Sequence, residues 1–89
     1  MPTLHLLIKG KVQGVFFRAT AKEIADELGL SGWVKNTKEG YVEAVASGTQ
    51  QQLDRFVAWC KQGPEKADVK NVAVTEIEEI TFSSFKIIR

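Results

Sequence analysis

The sequence predicts a two-layer α+β sandwich, and three observations carry that prediction. Apolar residues alternate at period two through the first dozen positions, then take up the period of a helix from Phe17. Two further alternating segments are separated only by Lys38-Glu39-Gly40. A second helical stripe follows between a capping-box pattern at Thr49 and the breaker pair Gly63-Pro64.

Each element has its own signal. Leu4, Leu6, Ile8 and Val12 alternate with His5, Lys9, Lys11 and Gln13, as in a strand with one buried face. Phe17, Ala21, Ile24, Ala25 and Leu28 fall on one stripe of a helix. Lys22, Glu23, Asp26 and Glu27 take its other side, and Gly29 is placed to end it in a left-handed conformation. Residues 33–37 and 41–46 read as strands, with Gly40 where their connection most needs positive φ, so the pair forms a hairpin. Thr49-Gln50-Gln51-Gln52 opens the second helix, whose apolar face is Leu53, Phe56, Val57 and Cys60. Val69, Val72, Val74, Ile77 and Ile80 have mixed spacing and are assigned to one strand over 69–80. Phe85, Ile87 and Ile88 make a short final strand. The order is β-α-β-β-α-β with a small C-terminal addition. Right-handed crossovers then place both helices on one side of a mostly antiparallel sheet, the ferredoxin-like arrangement. That architecture serves many unrelated functions.

Composition narrows those functions. The 89 residues suit one domain spanning 1–89, and 44% apolar with 26% charged residues is ordinary for a soluble globular protein. A net charge of +1, with twelve Lys and Arg spread along the chain, supplies no basic stripe for nucleic acid and no field for an anionic membrane. The segments Leu4–Ile8 and Val42–Val45 also lack the paired aromatics of an RNA-reading sheet. Cys60 is the only cysteine, so no internal disulfide forms, and no Cys/His cluster offers a metal site; no cofactor is expected. Met1-Pro2-Thr3 leads into a strand without a signal peptide, and no apolar run would span a bilayer. A cytoplasmic monomer is expected.

The chemistry concentrates in Gly10-Lys11-Val12-Gln13-Gly14-Val15-Phe16-Phe17-Arg18. A strand runs into Gly14, which permits a tight turn with unshielded N–H groups, and then into a helix N-terminus with its partial positive charge. Arg18 adds a planar, permanently charged fork able to hold two oxygens. Together these parts suggest an oxyanion cradle, best suited to a phosphoryl group.

That segment, followed by Gly32-Trp33-Val34-Lys35-Asn36 and Gly40-Tyr41-Val42-Glu43, resembles the acylphosphatase family over essentially the whole chain. The resemblance implies metal-free hydrolysis of acyl phosphates to a carboxylate and inorganic phosphate. It matches the family's phosphate loop and arginine to Gln13 through Arg18, and its water-orienting asparagine to Asn36. Gly14, Val15, Phe16, Phe17 and Arg18 are thereby expected to bind phosphate, and Arg18 and Asn36 to carry catalysis. It further implies that the bound phosphate takes the proton of the attacking water. Inorganic phosphate is expected as product and competitive inhibitor.

The residue types suit that reaction. A carboxylate leaves readily, so the enzyme need only hold a dianion, aim a water and stabilise charge on the equatorial oxygens. Asn36 can accept from water and donate to phosphate but cannot act as a strong base. The alternative is a non-catalytic regulatory module of the same fold that binds phosphate-bearing ligands.

Other chemistry-bearing residues have structural readings. His5 is expected on the solvated or edge face of the first strand, and Cys60 within the second helix's buried stripe. Glu76, Glu78 and Glu79 read as a solvated acidic face, while Trp33 and Trp59 read as packing residues. Thr37 could support Asn36 or simply finish its strand.

Overall fold

The computed structural model describes residues 1–89. The chain runs β1 (Thr3–Lys11), α1 (Phe17–Leu28), β2 (Ser31–Asn36), β3 (Val42–Ser47), α2 (Gln50–Gln62), β4 (Asp68–Ile77) and β5 (Phe85–Ile88). All five strands form one sheet in the order β4-β1-β3-β2-β5. β1 pairs antiparallel with both β3 and β4, β2 pairs antiparallel with β3, and β5 joins β2 in parallel. The chain therefore adopts the ferredoxin-like order, and its C-terminal addition extends the sheet beyond β2.

Period-two and helical patterns meet in one core. Leu4, Leu6 and Ile8 of β1, Val34 of β2, and Val42, Ala44 and Ala46 of β3 face Phe17, Ala21 and Ala25 of α1 and Leu53, Phe56 and Cys60 of α2. Aromatic contacts tie the layers. Phe17 lies 5.1 Å from Trp59, and Phe56 meets Phe85 edge-on at 5.8 Å between ring centres. Phe17 thus nails the first residue of α1 into the core.

The helix ends follow their caps. Gly29 takes φ 77° and its N–H bonds back to α1 carbonyls, ending the helix as expected. At the start of α2 both halves of the capping box form: the Gln52 N–H donates to Thr49 Oγ1 at 3.2 Å, and the Thr49 N–H to Gln52 Oε1 at 2.8 Å. Such a cap is worth about 1 kcal/mol.

Strand boundaries differ from the sequence expectation where turn chemistry intervenes. β2 stops at Asn36 and β3 starts at Val42, because Thr37 and Tyr41 close the loop between them. The Thr37 N–H donates to the Tyr41 carbonyl at 2.9 Å, and the Tyr41 N–H to Thr37 Oγ1 at 3.1 Å. The mixed spacing in β4 has a definite cause. Lys9 pairs with Asn71 but Gly10 pairs with Val69, leaving Lys70 as an extra residue. This bulge turns Val69 and Val72, three apart, toward the same core. Gly10 is required opposite it, since a Cβ there would strike the Asp68 carbonyl oxygen. β4 ends at Ile77 rather than at Ile80. The Ile80 N–H instead donates to Thr3 Oγ1 at 3.1 Å, and its carbonyl accepts from Ser47 Oγ at 3.0 Å.

Candidate active site

The loop between β1 and α1 is built on two left-handed residues. Gly14 has φ 74°, which costs a glycine nothing, whereas Phe16 has φ 63° and ψ 25°, a conformation a bulky residue rarely takes. Phe16 is also the N-cap of α1, and its side chain makes no capping bond. The strain is imposed from both sides: Phe17 is held in the core at 2% exposure, and Val15 is buried at 7%. Between these two anchors the backbone must reverse within one residue.

That reversal leaves donors bare. None of the N–H groups of Gly14, Val15 and Phe16 finds a protein acceptor. Phe17, Arg18 and Ala19 form the first turn of α1, where no intrahelical acceptor is within reach. A run of main-chain donors at a helix N-terminus is the local field that an anion prefers.

Arg18 stands in that first turn and Asn36 is the last residue of β2. Both border one cavity of about 320 Å³, together with Gly14, Phe16, Ile87 and Arg89. Arg18 and Arg89 form no ion pair with any carboxylate of the chain. No Asp, Glu, His, Cys or Lys lines the cavity. The site therefore combines unneutralised positive charge, bare N–H donors and one neutral carboxamide, with no side chain able to serve as a general base near neutral pH.

The two sides of the cavity are joined by Gln13. Its Nε2 donates to the Thr37 carbonyl and to the Tyr41 carbonyl, each at 2.9 Å, and so locks the β2–β3 loop against the β1–α1 loop. Asn36, paired with Val42 immediately before that loop, borders the same cavity as Gly14 and Phe16. Thr37 acts in the same closure through its hydroxyl, which answers whether it merely finishes a strand.

Of the residues expected at the site, Gly14, Phe16, Phe17, Arg18 and Asn36 border the cavity, while the Val15 side chain belongs to the core. Sequence reasoning missed Val12, Ala19, Ile87 and Arg89. The parallel pairing of β5 with β2 sets Val34 beside Ile87 and Lys35 beside Ile88, so Arg89 follows at the level of Asn36. No sequence signal specified which strand β5 would join.

The remaining candidates lie elsewhere. His5 sits on β1, an interior strand between β4 and β3, and its Nε2 is 2.7 Å from Glu43 Oε2 on the sheet face away from the helices. Cys60 is fully buried, and that burial pushes its thiol pKa well up. Trp59 packs between Phe17 and Phe56, and Trp33 lies under the Lys35 ammonium. Glu76, Glu78 and Glu79 are exposed, and Glu79 pairs with the Met1 ammonium.

A ferredoxin-like sandwich with an arginine-lined cavity, free of Asp and Glu side chains, at the mouth of a bare helix N-terminus defines a small α+β protein whose site suits an oxyanion. The sequence profile of the family described as Acylphosphatase matches residues 4–87. The chain belongs to the acylphosphatase family. It is 52% identical over 73 residues to an acylphosphatase of Marinobacter nauticus, covering 82% of this chain and 79% of that protein. An acylphosphatase of Methylococcus capsulatus is 44% identical over 94 aligned positions, covering 100% of this chain and 98% of the relative. The crystal structure of acylphosphatase from Bacillus subtilis superposes with a TM-score of 0.96 at 36% identity, covering 100% of both chains.

Proposed function

We propose that this enzyme hydrolyses the carboxyl–phosphate bond of acyl phosphates with Arg18, Asn36 and the main-chain N–H groups from Gly14 to Arg18 as its working parts. The observation that supports the reading is that Gly14, Phe16, Phe17, Arg18 and Asn36 border one cavity whose lining has no Asp, Glu, His, Cys or Lys side chain. Arg18 grips two phosphoryl oxygens and the loop donors surround the others, so charge that builds on these oxygens meets donors already in place. The Asn36 carboxamide oxygen accepts a hydrogen bond from a water and aims it at phosphorus, opposite the departing carboxylate. As the water oxygen bonds to phosphorus, the phosphorus–oxygen bond to the acyl group breaks and its electron pair leaves with the carboxylate. The water's proton passes to an oxygen of the phosphoryl group, because no cavity side chain is suited to take it.

The lining offers no Asp, Glu, His or Cys side chain to hold a divalent cation, and the reaction is assigned to these residues alone. Action as a monomer and a cytoplasmic location both rest on the sequence reading. No helix is long and apolar enough to cross a membrane.

Hydrolysis of benzoyl phosphate by the wild type and Arg18→Gln, measured side by side, tests the reading. The wild type releases phosphate and is inhibited competitively by inorganic phosphate, whereas Arg18→Gln loses at least about 10²-fold in rate, as for removal of one oxyanion donor. Binding of phosphate without turnover by the wild type would favour the regulatory-module alternative instead.

A further inference from the structure

We infer that Phe16 selects the acyl group, its ring forming a platform that favours flat, apolar acyl phosphates over small aliphatic ones. This rests on the catalytic reading above and extends it from the phosphate to the other half of the substrate.

Phe16 violates three local preferences at once. It is 78% exposed, more than any other large apolar side chain of the protein. It holds a left-handed backbone that glycine or asparagine would take at far less cost. It occupies an N-cap, where Ser, Thr, Asp or Asn would bond to the first turn, and makes no such bond. Folding supplies no compensation, because the core contact at this point is made by Phe17 and not by Phe16.

What the ring does have is position. It lines the same cavity as Arg18 and Asn36, and its backbone is tethered from α1: the Phe16 carbonyl accepts from the Thr20 N–H at 3.1 Å and from Thr20 Oγ1 at 2.9 Å. The ring is thus carried on a fixed backbone at the rim of the cavity. Ile87 and Ala19 add apolar surface to the same lining. The phosphoryl group of every acyl phosphate is alike and fills the polar end, so discrimination must come from surface that meets the acyl chain. Only the apolar lining offers it, and of its two phenylalanines Phe16 is exposed whereas Phe17 is spent in the core.

The test compares benzoyl phosphate with acetyl phosphate in the wild type, Phe16→Ala and Phe16→Tyr. The two substrates differ in intrinsic reactivity, but the ratio of their kcat/KM values, compared between variants, cancels that difference. Phe16→Ala lowers the benzoyl-to-acetyl ratio about fivefold, the range of one aromatic stacking contact, and the loss falls mainly in KM for benzoyl phosphate. Phe16→Tyr, which keeps the ring, keeps the ratio. An unchanged ratio in Phe16→Ala would overturn the inference and leave the catalytic reading intact, showing that the side chain only shapes the loop. Absence of turnover of both substrates by the wild type would sink the catalytic reading and this inference together.

Discussion

The Gln13 carboxamide donates to the carbonyl of Thr37 at 2.9 Å, across the gap between the β1–α1 loop and the end of the β2–β3 hairpin. One side chain thereby ties the loop that carries the bare N–H donors to the strand end that carries Asn36, which immediately precedes Thr37. A second bond from the same Nε2 to the Tyr41 carbonyl fixes its orientation. Replacing Gln13 with Leu removes both bonds and frees the hairpin to shift. Misplacement of a positioned group by an ångström costs up to about 10²-fold in rate. Gln13→Leu is therefore expected to lower kcat about ten- to a hundredfold, with a smaller rise in the inhibition constant for phosphate. Steady-state kinetics with a parallel melting curve would check it; a change in melting temperature alone would assign Gln13 to stability rather than to the site.

Asn36→Ala separates aiming from holding. On the proposed assignment the arginine and main-chain donors remain, so phosphate should still bind, while the attacking water loses its acceptor. Turnover is expected to fall about 10²-fold or more, while competitive inhibition by phosphate changes only a few-fold. If the two fall together, Asn36 holds the anion and does not aim the water. Because Asn36 sits at a strand end beside a closed loop and not in the core, the fold survives the change.

Much of this was legible in the sequence because local signals agreed with the global fold. Thr49 and Gln52, Gly29, and the stripe beginning at Phe17 each marked an element end that the structure keeps. What escaped were features that depend on strand partners. The Lys70 bulge broke the period of β4, since two-residue alternation cannot register an extra residue until its partner strand is known. Ile80 read as strand because it is apolar, yet its backbone is captured by Thr3 and Ser47, far away in sequence. The motifs singled out Arg18 and Asn36, and both border the cavity, whereas Arg89 reaches it only through the parallel pairing of β5 with β2.

Arg89 brings a second unpaired guanidinium to a cavity that already holds Arg18. Its side chain is exposed, so water and salt screen its pull on the substrate dianion. Arg89→Gln is expected to raise KM about two- to fivefold at low ionic strength and to change kcat little, with the difference shrinking as salt is added. Measuring KM across a salt series would decide it. A loss of kcat independent of salt would instead mean that Arg89 acts in the transition state.

Cys60 makes the final prediction, about pH. Its thiol is fully buried among apolar side chains, and burial raises its pKa far above the ordinary value of 9.0. In the unfolded chain the thiol ionises near that ordinary value, so above it the folded state binds more protons than the unfolded state. Stability contributed by the neutral buried thiol is therefore complete below about pH 9 and declines as pH rises further. Cys60→Ala removes this term at the cost of a small cavity, so it should be less stable than the wild type at pH 7, with the gap narrowing above pH 9. Urea unfolding of both proteins from pH 7 to 10.5 would show the convergence. A constant gap would mean that the thiol is solvated in the native state, and native Cys60 would then react with a thiol reagent at the rate of an exposed cysteine.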